Sequence, residues 1–195
     1  MKIKKLKNSQ QKIIEGPLEI IPQIFNDNRG YFLETWNARN FKNYVNSGIS
    51  FVQDNQSLSK KGTLRGLHYQ LNPMSQGKLV RVTKGKVFDV VIDLRKNSKT
   101  FSSWTSLILN CEYKNQLWIP EGFAHGFLTL SEEAIVEYKV TNLWEKELDR
   151  TILWNDSSIS IDWPLKDNNI NEPNLSQRDA NGLTLESVMK IGEIF

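Results

Sequence analysis

The chain carries only two histidines, His68 and His125, each in a glycine-flanked, strand-like run: Leu64-Arg65-Gly66-Leu67-His68-Tyr69-Gln70 and Pro120-Glu121-Gly122-Phe123-Ala124-His125-Gly126-Phe127. Imidazole is the side chain best placed to exchange protons near neutral pH, because its unperturbed pKa is ~6.5. A histidine taken alone more often satisfies a structural hydrogen bond, so its neighbours matter. Arg65 and His68 are an odd interval apart, and strict strand alternation sends them to opposite faces. Gly66 between them offers a bulge that could bring both to one side. Lys78 shares a face with Val80 and Val82, and a lysine on an apolar inward face calls for an anionic partner. A surface strand end is the plainer alternative for Lys78. Tyr138 shares a face with Val136 and Val140, which aims its hydroxyl at the interior, although most buried tyrosines merely bond a carbonyl.

These residues need a scaffold, and its signals are β-rich. Runs of Val, Ile, Phe, Tyr, Trp and Thr recur between Gly, Asn, Asp and Ser, the pattern of an antiparallel sandwich or barrel. Strands are expected at 18–25, 31–36, 51–58, 63–70, 78–83, 86–94, 103–110, 116–119, 125–130 and 134–141, enough for two sheets. One helix is expected over 37–46, with Phe41, Tyr44 and Val45 on one face, and a shorter one near 185–191. The Asn- and Asp-rich stretch 167–174 reads as surface loop, separating the sheets from a tail that folds back over them. All 195 residues fit one domain, with an N-terminal strand arm over about 1–30 and a C-terminal tail over about 165–195.

Composition removes several function classes. The formal charge is +3, with Lys and Arg scattered among Asp and Glu, so no nucleic-acid footprint is expected. The apolar residues Ile13 and Ile14 are followed by Glu15, Gly16 and Pro17, which breaks any secretory or membrane-spanning run. A cytoplasmic protein with no membrane partner is therefore expected. The single cysteine, Cys111, can form no internal disulfide or thiolate metal cage, and a buried, inert thiol is expected.

Pro120-x-Gly-x-x-His125 matches part of the second motif of the cupin double-stranded β-helix, and Gly62 with His68 matches the start of the first. A mainly β, cupin-like jelly-roll barrel with a few short helices is thus the expected fold. A metal-binding cupin would place a second His two residues after His68 and then a Glu. Here those places hold Gln70 and, in the following loop, Met74, Ser75 and Gln76. Two histidines cannot furnish a site of three His and one Glu, so no metal is expected. A metal-dependent cupin oxygenase or isomerase and a non-catalytic sugar-binding cupin are the competing classes.

Laid out in order, the chain resembles the dTDP-4-dehydrorhamnose 3,5-epimerases. The similar stretches run from Asn28-Arg29-Gly30-Tyr31-Phe32-Leu33-Glu34 through Phe51-Val52-Gln53-Asp54-Asn55, the Arg65 and His68 run, and Gln76-Gly77-Lys78-Leu79-Val80-Arg81-Val82. They continue with 87–95, 116–129, Tyr138-Lys139, Ile161-Asp162-Trp163-Pro164 and Leu175-Ser176-Gln177-Arg178-Asp179, covering roughly residues 18 to 180. The resemblance implies a homodimeric isomerase acting on a dTDP-linked 4-keto-6-deoxyhexose. It makes His68 the base, Asp179 the carboxylate that orients it, Lys78 the cation beside a forming enolate, and Tyr138 the acid. Arg29, Glu34, Gln53, Asn55, Arg65, His125 and Arg178 fall where the family contacts the sugar or its diphosphate, with Arg29 serving the partner's pocket. Family members usually have His at Gln56. Paired aromatics and then a Glu follow Tyr138 in the family; Leu143-Trp144 and Asp149 stand here, and Trp144 can still stack on a nucleobase. Asp167 is the rival to Asp179 as partner of His68.

The chemistry suits these residue types. A ketone at C4 acidifies the hydrogens at C3 and C5, because deprotonation gives an enolate. Inversion then needs a base on one ring face and an acid on the other, each typically contributing about 10²–10⁴-fold. Lys78 would place positive charge where the enolate oxygen develops. Guanidinium forks such as Arg65 and Arg29 match diphosphate oxygens. Such a reaction calls for no metal, nicotinamide or flavin, and no cofactor is expected. Inversion at C3 alone or C5 alone would use the same residues.

Overall fold

The computed structural model describes residues 1–45 and 48–195. In chain order its strands and helices are β1 (Lys2–Lys7), β2 (Ile13–Ile21), β3 (Phe25–Asp27), β4 (Gly30–Phe32), α1 (Ala38–Lys42), β5 (Gln53–Lys60), β6 (Leu64–Gln70) and β7 (Lys78–Lys84). They continue with β8 (Lys86–Asp93), β9 (Trp104–Asn110), β10 (Gln116–Ile119), β11 (Phe123–Thr129), β12 (Glu133–Val140), β13 (Asp149–Thr151), α2 (Gln177–Ala180) and α3 (Leu185–Lys190). A six-stranded sheet runs β1-β2-β10-β7-β12-β5 and a five-stranded sheet β13-β6-β11-β8-β9, while β3 and β4 form a separate hairpin.

The two sheets face each other as in a cupin-like barrel, and alternation assigns every side chain to a layer. On β7, Val80 and Val82 turn inward and meet Val87, Val91, Phe123 and Phe127 from the opposite sheet, with Leu117 and Val136 filling the same core. Leu79 turns outward, where Phe41 of α1, Ile20 and Trp118 cover it. On β8, Val90 and Ile92 also point outward and are sealed by Ile152, Ile159, Trp163, Ile170, Leu185 and Val188 from the C-terminal segment. β8 and β11 are thus buried on both faces, which explains near-continuous apolar runs where a half-exposed strand would alternate. The tail does fold back over the five-stranded sheet as expected.

Several elements differ from expectation. β2 begins at Ile13, and Pro22, lacking an N–H, follows its last residue. The Lys-rich start forms edge strand β1 on β2, its lysines suiting an exposed edge. β13, with the sequence Asp149-Arg150-Thr151, has no apolar pattern and went unanticipated. The helix expected over 37–46 is only Ala38–Lys42, capped by the Asn37 side chain on Arg39 N and Asn40 N. Phe41 and Val45 pack inward but Tyr44 is exposed, and residue 46 lies outside the described residues. Cys111 is only partly buried. Among the described residues no helix is long and apolar enough to cross a membrane.

Candidate active site

β6 and β11 carry the two imidazoles. His68 lies opposite His125, whereas Arg65 lies opposite Phe127, so three steps on β6 match two on β11. The additional β6 residue is accommodated at Gly66, and Arg65 and His68 therefore face the same side. Gly66 has φ +125°, and a methyl group there would sit 2.5 Å from Gly126 Cα and 2.9 Å from His125 O. The bulge needs glycine for both reasons.

His68 is half-buried and its Nε2 lies 2.6 Å from Asp179 Oδ1. The same oxygen accepts Gly66 N at 3.1 Å, and Asp179 Oδ2 accepts the Ser176 hydroxyl at 2.6 Å. Three donors hold the Asp179 carboxyl down at about 2, against the burial that would raise it. Burial lowers the His68 pKa, an effect opposed by the Asp179 bond and reinforced by the Arg178 charge. Burial thus favours the neutral imidazole, the form that can accept a proton. Asp167 is exposed in a 3-10 turn, Lys166–Asn168, and Asp179 is the carboxylate at His68.

The facing sheet supplies Lys78 and Tyr138. Lys78 is 7% exposed and its Nζ donates to His68 O at 3.3 Å, so the lysine does point inward. Burial pushes its pKa down to about 8, opposed by the charges of Asp149 and Asp89. Tyr138 pairs with Val80 on one side and Asn55 on the other, which places all three on the inner face. Burial raises its phenol, while the Arg65 charge pulls the other way. Among the described residues its hydroxyl has no hydrogen-bond partner, leaving it available to a ligand.

A continuous hydrogen-bonded chain borders these groups. Gln53 Nε2 donates to Asn55 Oδ1 at 2.7 Å, and Trp144 N donates to Gln53 Oε1 at 3.3 Å. Trp144 Nε1 then donates to Asp149 Oδ2 at 2.7 Å, and Arg178 Nη2 pairs with Asp149 Oδ1 at 2.6 Å. Arg178 Nε ends the chain on Thr151 Oγ1 at 2.8 Å, and Thr151 pairs in register with His68. Arg65 stands apart from this chain, donating to Ser59 Oγ at 3.0 Å.

His125 is buried, with Nε2 at 2.9 and 3.0 Å from the two oxygens of fully buried Asp89. Asp89 escaped the sequence reading. It shares the inward face of β8 with Val87 and Val91, and a carboxylate in that pattern was the available signal. Arg29 and Glu34 are not in the cluster. Arg29 pairs with Asp27 at 2.6 Å inside the exposed β3–β4 hairpin, and Glu34 accepts Asn37 Nδ2 at 2.7 Å. Gln56 faces outward, donating to Glu137 Oε1 at 2.8 Å, so its difference from the family's usual residue falls on the far side of β5 from Tyr138. Among the described residues no three His, Cys, Asp or Glu side chains are grouped to hold a metal. A cleft of about 300 Å³ on the six-stranded sheet is lined by Leu79, Arg81, Gln116 and Glu137 together with Asn55 and Tyr138, while His68 and Lys78 are not among its lining residues.

A histidine with its aspartate thus faces, across the barrel interior, a buried lysine and a tyrosine. The profile of the dTDP-4-dehydrorhamnose 3,5-epimerase family matches residues 11–187, and the chain belongs to that family. It is 53% identical over 161 residues to the dTDP-4-dehydrorhamnose 3,5-epimerase of Shigella flexneri, covering 83% of this chain and 86% of that one. The Escherichia coli K12 protein of the same name is 46% identical over 178 residues, covering 91% and 94%. A solved structure of dTDP-6-deoxy-D-glucose-3,5-epimerase from Legionella pneumophila, in complex with dTDP-4-keto-L-rhamnose, superposes with TM-score 0.88 at 39% identity, covering 99% of this chain and 97% of that one. A 3′-monoepimerase from Streptomyces bikiniensis, in complex with dTDP-quinovose, reaches TM-score 0.85 at 30% identity, covering 93% and 89%.

Proposed function

We propose that the protein inverts C3 and C5 of dTDP-4-dehydro-6-deoxy-D-glucose, giving dTDP-4-dehydro-L-rhamnose without a cofactor. The observation that carries this reading is the placement of His68 on one sheet, with Asp179 of α2 against it, and of Lys78 and Tyr138 on the other sheet. A hexose ring lying between the sheets would meet a base on one face and an acid on the other. His68 removes the proton beside the C4 ketone, and Asp179 stabilises the imidazolium that forms. Lys78 supplies positive charge to the enolate oxygen, and Tyr138 delivers a proton to the opposite face. Each inversion leaves His68 with one proton gained and Tyr138 with one lost, and exchange with solvent resets both.

The polar chain from Asn55 to Arg178 suits the nucleotide end, with Trp144 stacking on the base and Arg178 and Arg65 on the diphosphate. We assign the β3–β4 hairpin to a homodimer contact in which Arg29 serves the neighbouring subunit's pocket. Its Phe25, Tyr31 and Phe32 are 53%, 56% and 67% exposed, an apolar surface that a second copy would cover. A nucleotide-linked substrate and a single cysteine fit a cytoplasmic setting.

Incubation with dTDP-4-keto-6-deoxyglucose in D₂O, followed by proton NMR, tests the reaction. Deuterium at both C3 and C5 of the product supports double inversion. Label at one carbon alone would replace it with the mono-epimerase reading, to which the likeness to the 3′-monoepimerase lends weight. His68→Ala and Tyr138→Phe are each expected to lower turnover at least about 10²-fold with the fold retained.

A further inference from the structure

The two oxygens of Asp179 have different partners. Oδ1 faces His68 Nε2 at 2.6 Å and Gly66 N at 3.1 Å, whereas among the described residues Oδ2 accepts only the Ser176 hydroxyl, at 2.6 Å. Ser176 also caps α2, its Oγ accepting Asp179 N at 3.1 Å. α2 spans four residues, a single turn that cannot hold its own geometry in water. A carboxylate anchored through one oxygen can still rotate about its Cβ–Cγ bond, and a fixed donor on the second oxygen removes that freedom. We infer that Ser176 is a positioning residue for the proton-accepting pair, locking the Asp179 carboxylate so that Oδ1 stays on His68. The inference rests on the reading of His68 as base.

The alternative is that Ser176 only caps a helix, and the two roles separate by substitution. Ser176→Ala loses donor and cap together. Ser176→Gly loses the donor but keeps most of the capping benefit, since glycine at that position is nearly as good. Ser176→Thr keeps both. Thr184→Ala removes a cap of the same kind from α3, where Thr184 accepts Ser187 N at 3.2 Å.

Steady-state kinetics on dTDP-4-keto-6-deoxyglucose decide between them. Ser176→Ala and Ser176→Gly are expected to lower kcat roughly ten- to a hundredfold, the worth of one hydrogen bond to a charged group, with KM within about twofold of the parent. Ser176→Thr should restore kcat, and Thr184→Ala should lower the melting temperature with kcat unchanged. The acid limb of kcat/KM should move to lower pH in the Ala and Gly variants, because a carboxylate free to turn off His68 stabilises the imidazolium less. A Gly variant with parental kcat, a defect confined to KM, or an unmoved acid limb would each overturn the positioning role. If His68→Ala itself turned over normally, the failure would lie with the base assignment instead.

Discussion

Arg178 and Asp179 are consecutive in α2 yet serve different partners, Arg178 pairing with Asp149 at 2.6 Å and Asp179 with His68 at 2.6 Å. One helical turn thus joins the expected nucleotide end of the groove to its base. Arg178→Ala is expected to raise KM about tenfold or more, having lost a bidentate phosphate donor. A smaller fall in kcat should accompany it, since α2 also loses its hold on Asp149 and Thr151. Initial-rate kinetics separate the two effects; a change in neither constant would remove Arg178 from the site.

The pH profile of kcat/KM reports the unliganded enzyme. His68 must be neutral to accept a proton, and its pKa lies below the ordinary imidazole value, so activity falls only as pH drops beneath about 6.5. Lys78 must be charged, and its pKa is about 8, so activity falls again as pH rises through that value. Tyr138, raised by burial, keeps its proton across the whole range. The expected profile is a bell whose alkaline side belongs to Lys78. A plateau extending to pH 10 would contradict a catalytic ammonium at this position.

Asp89 and His125 are buried together, and removing one leaves the other unpaired in a low-dielectric core. Asp89→Ala is expected to cost about 3–5 kcal/mol in urea unfolding. Asp89→Asn retains an acceptor for the ring N–H and should cost less, about 1–2 kcal/mol. Equal losses in the two variants would mean that side-chain volume, rather than the pairing, sets the cost.

Gly66→Ala meets both a positive φ and the Gly126 backbone. At least about 2 kcal/mol of stability should be lost. Turnover should fall further than stability alone explains, because any relief of the clash rotates His68 or Arg65 off the shared face. Circular dichroism melting together with initial rates measures both; a variant as stable and active as the parent would show that the bulge tolerates a side chain.

How far the sequence could be read depended on whether a signal was periodic. Lys78 and Tyr138 were placed inward by counting from Val80, Val82, Val136 and Val140, and the core holds them there. The bulge at Gly66 was legible because a glycine stood between two residues that needed one face. The His68–Asp179 contact was not, since the two lie 111 residues apart and are joined only when the tail docks. The sequence resemblance supplied that pairing, with Asp167 as the competing carboxylate. β13 and the chain through Trp144 and Asp149 lay beyond local signals altogether. Three polar residues become a strand only because Gln70 and Tyr69 offer an edge to pair with. Arg29 bonds only Asp27 of its own hairpin among the described residues, so local pattern gave it no partner elsewhere in the fold.

The segment that seals the outer face of the five-stranded sheet is also the one that delivers Asp179 to His68. On a ribosome the barrel strands emerge first, and their imidazole waits without its carboxylate until residues near 180 are made and wrapped into place. The His68–Asp179 contact is therefore among the last this chain can form during its synthesis, and a product truncated near Pro173 would keep every barrel strand while lacking that carboxylate.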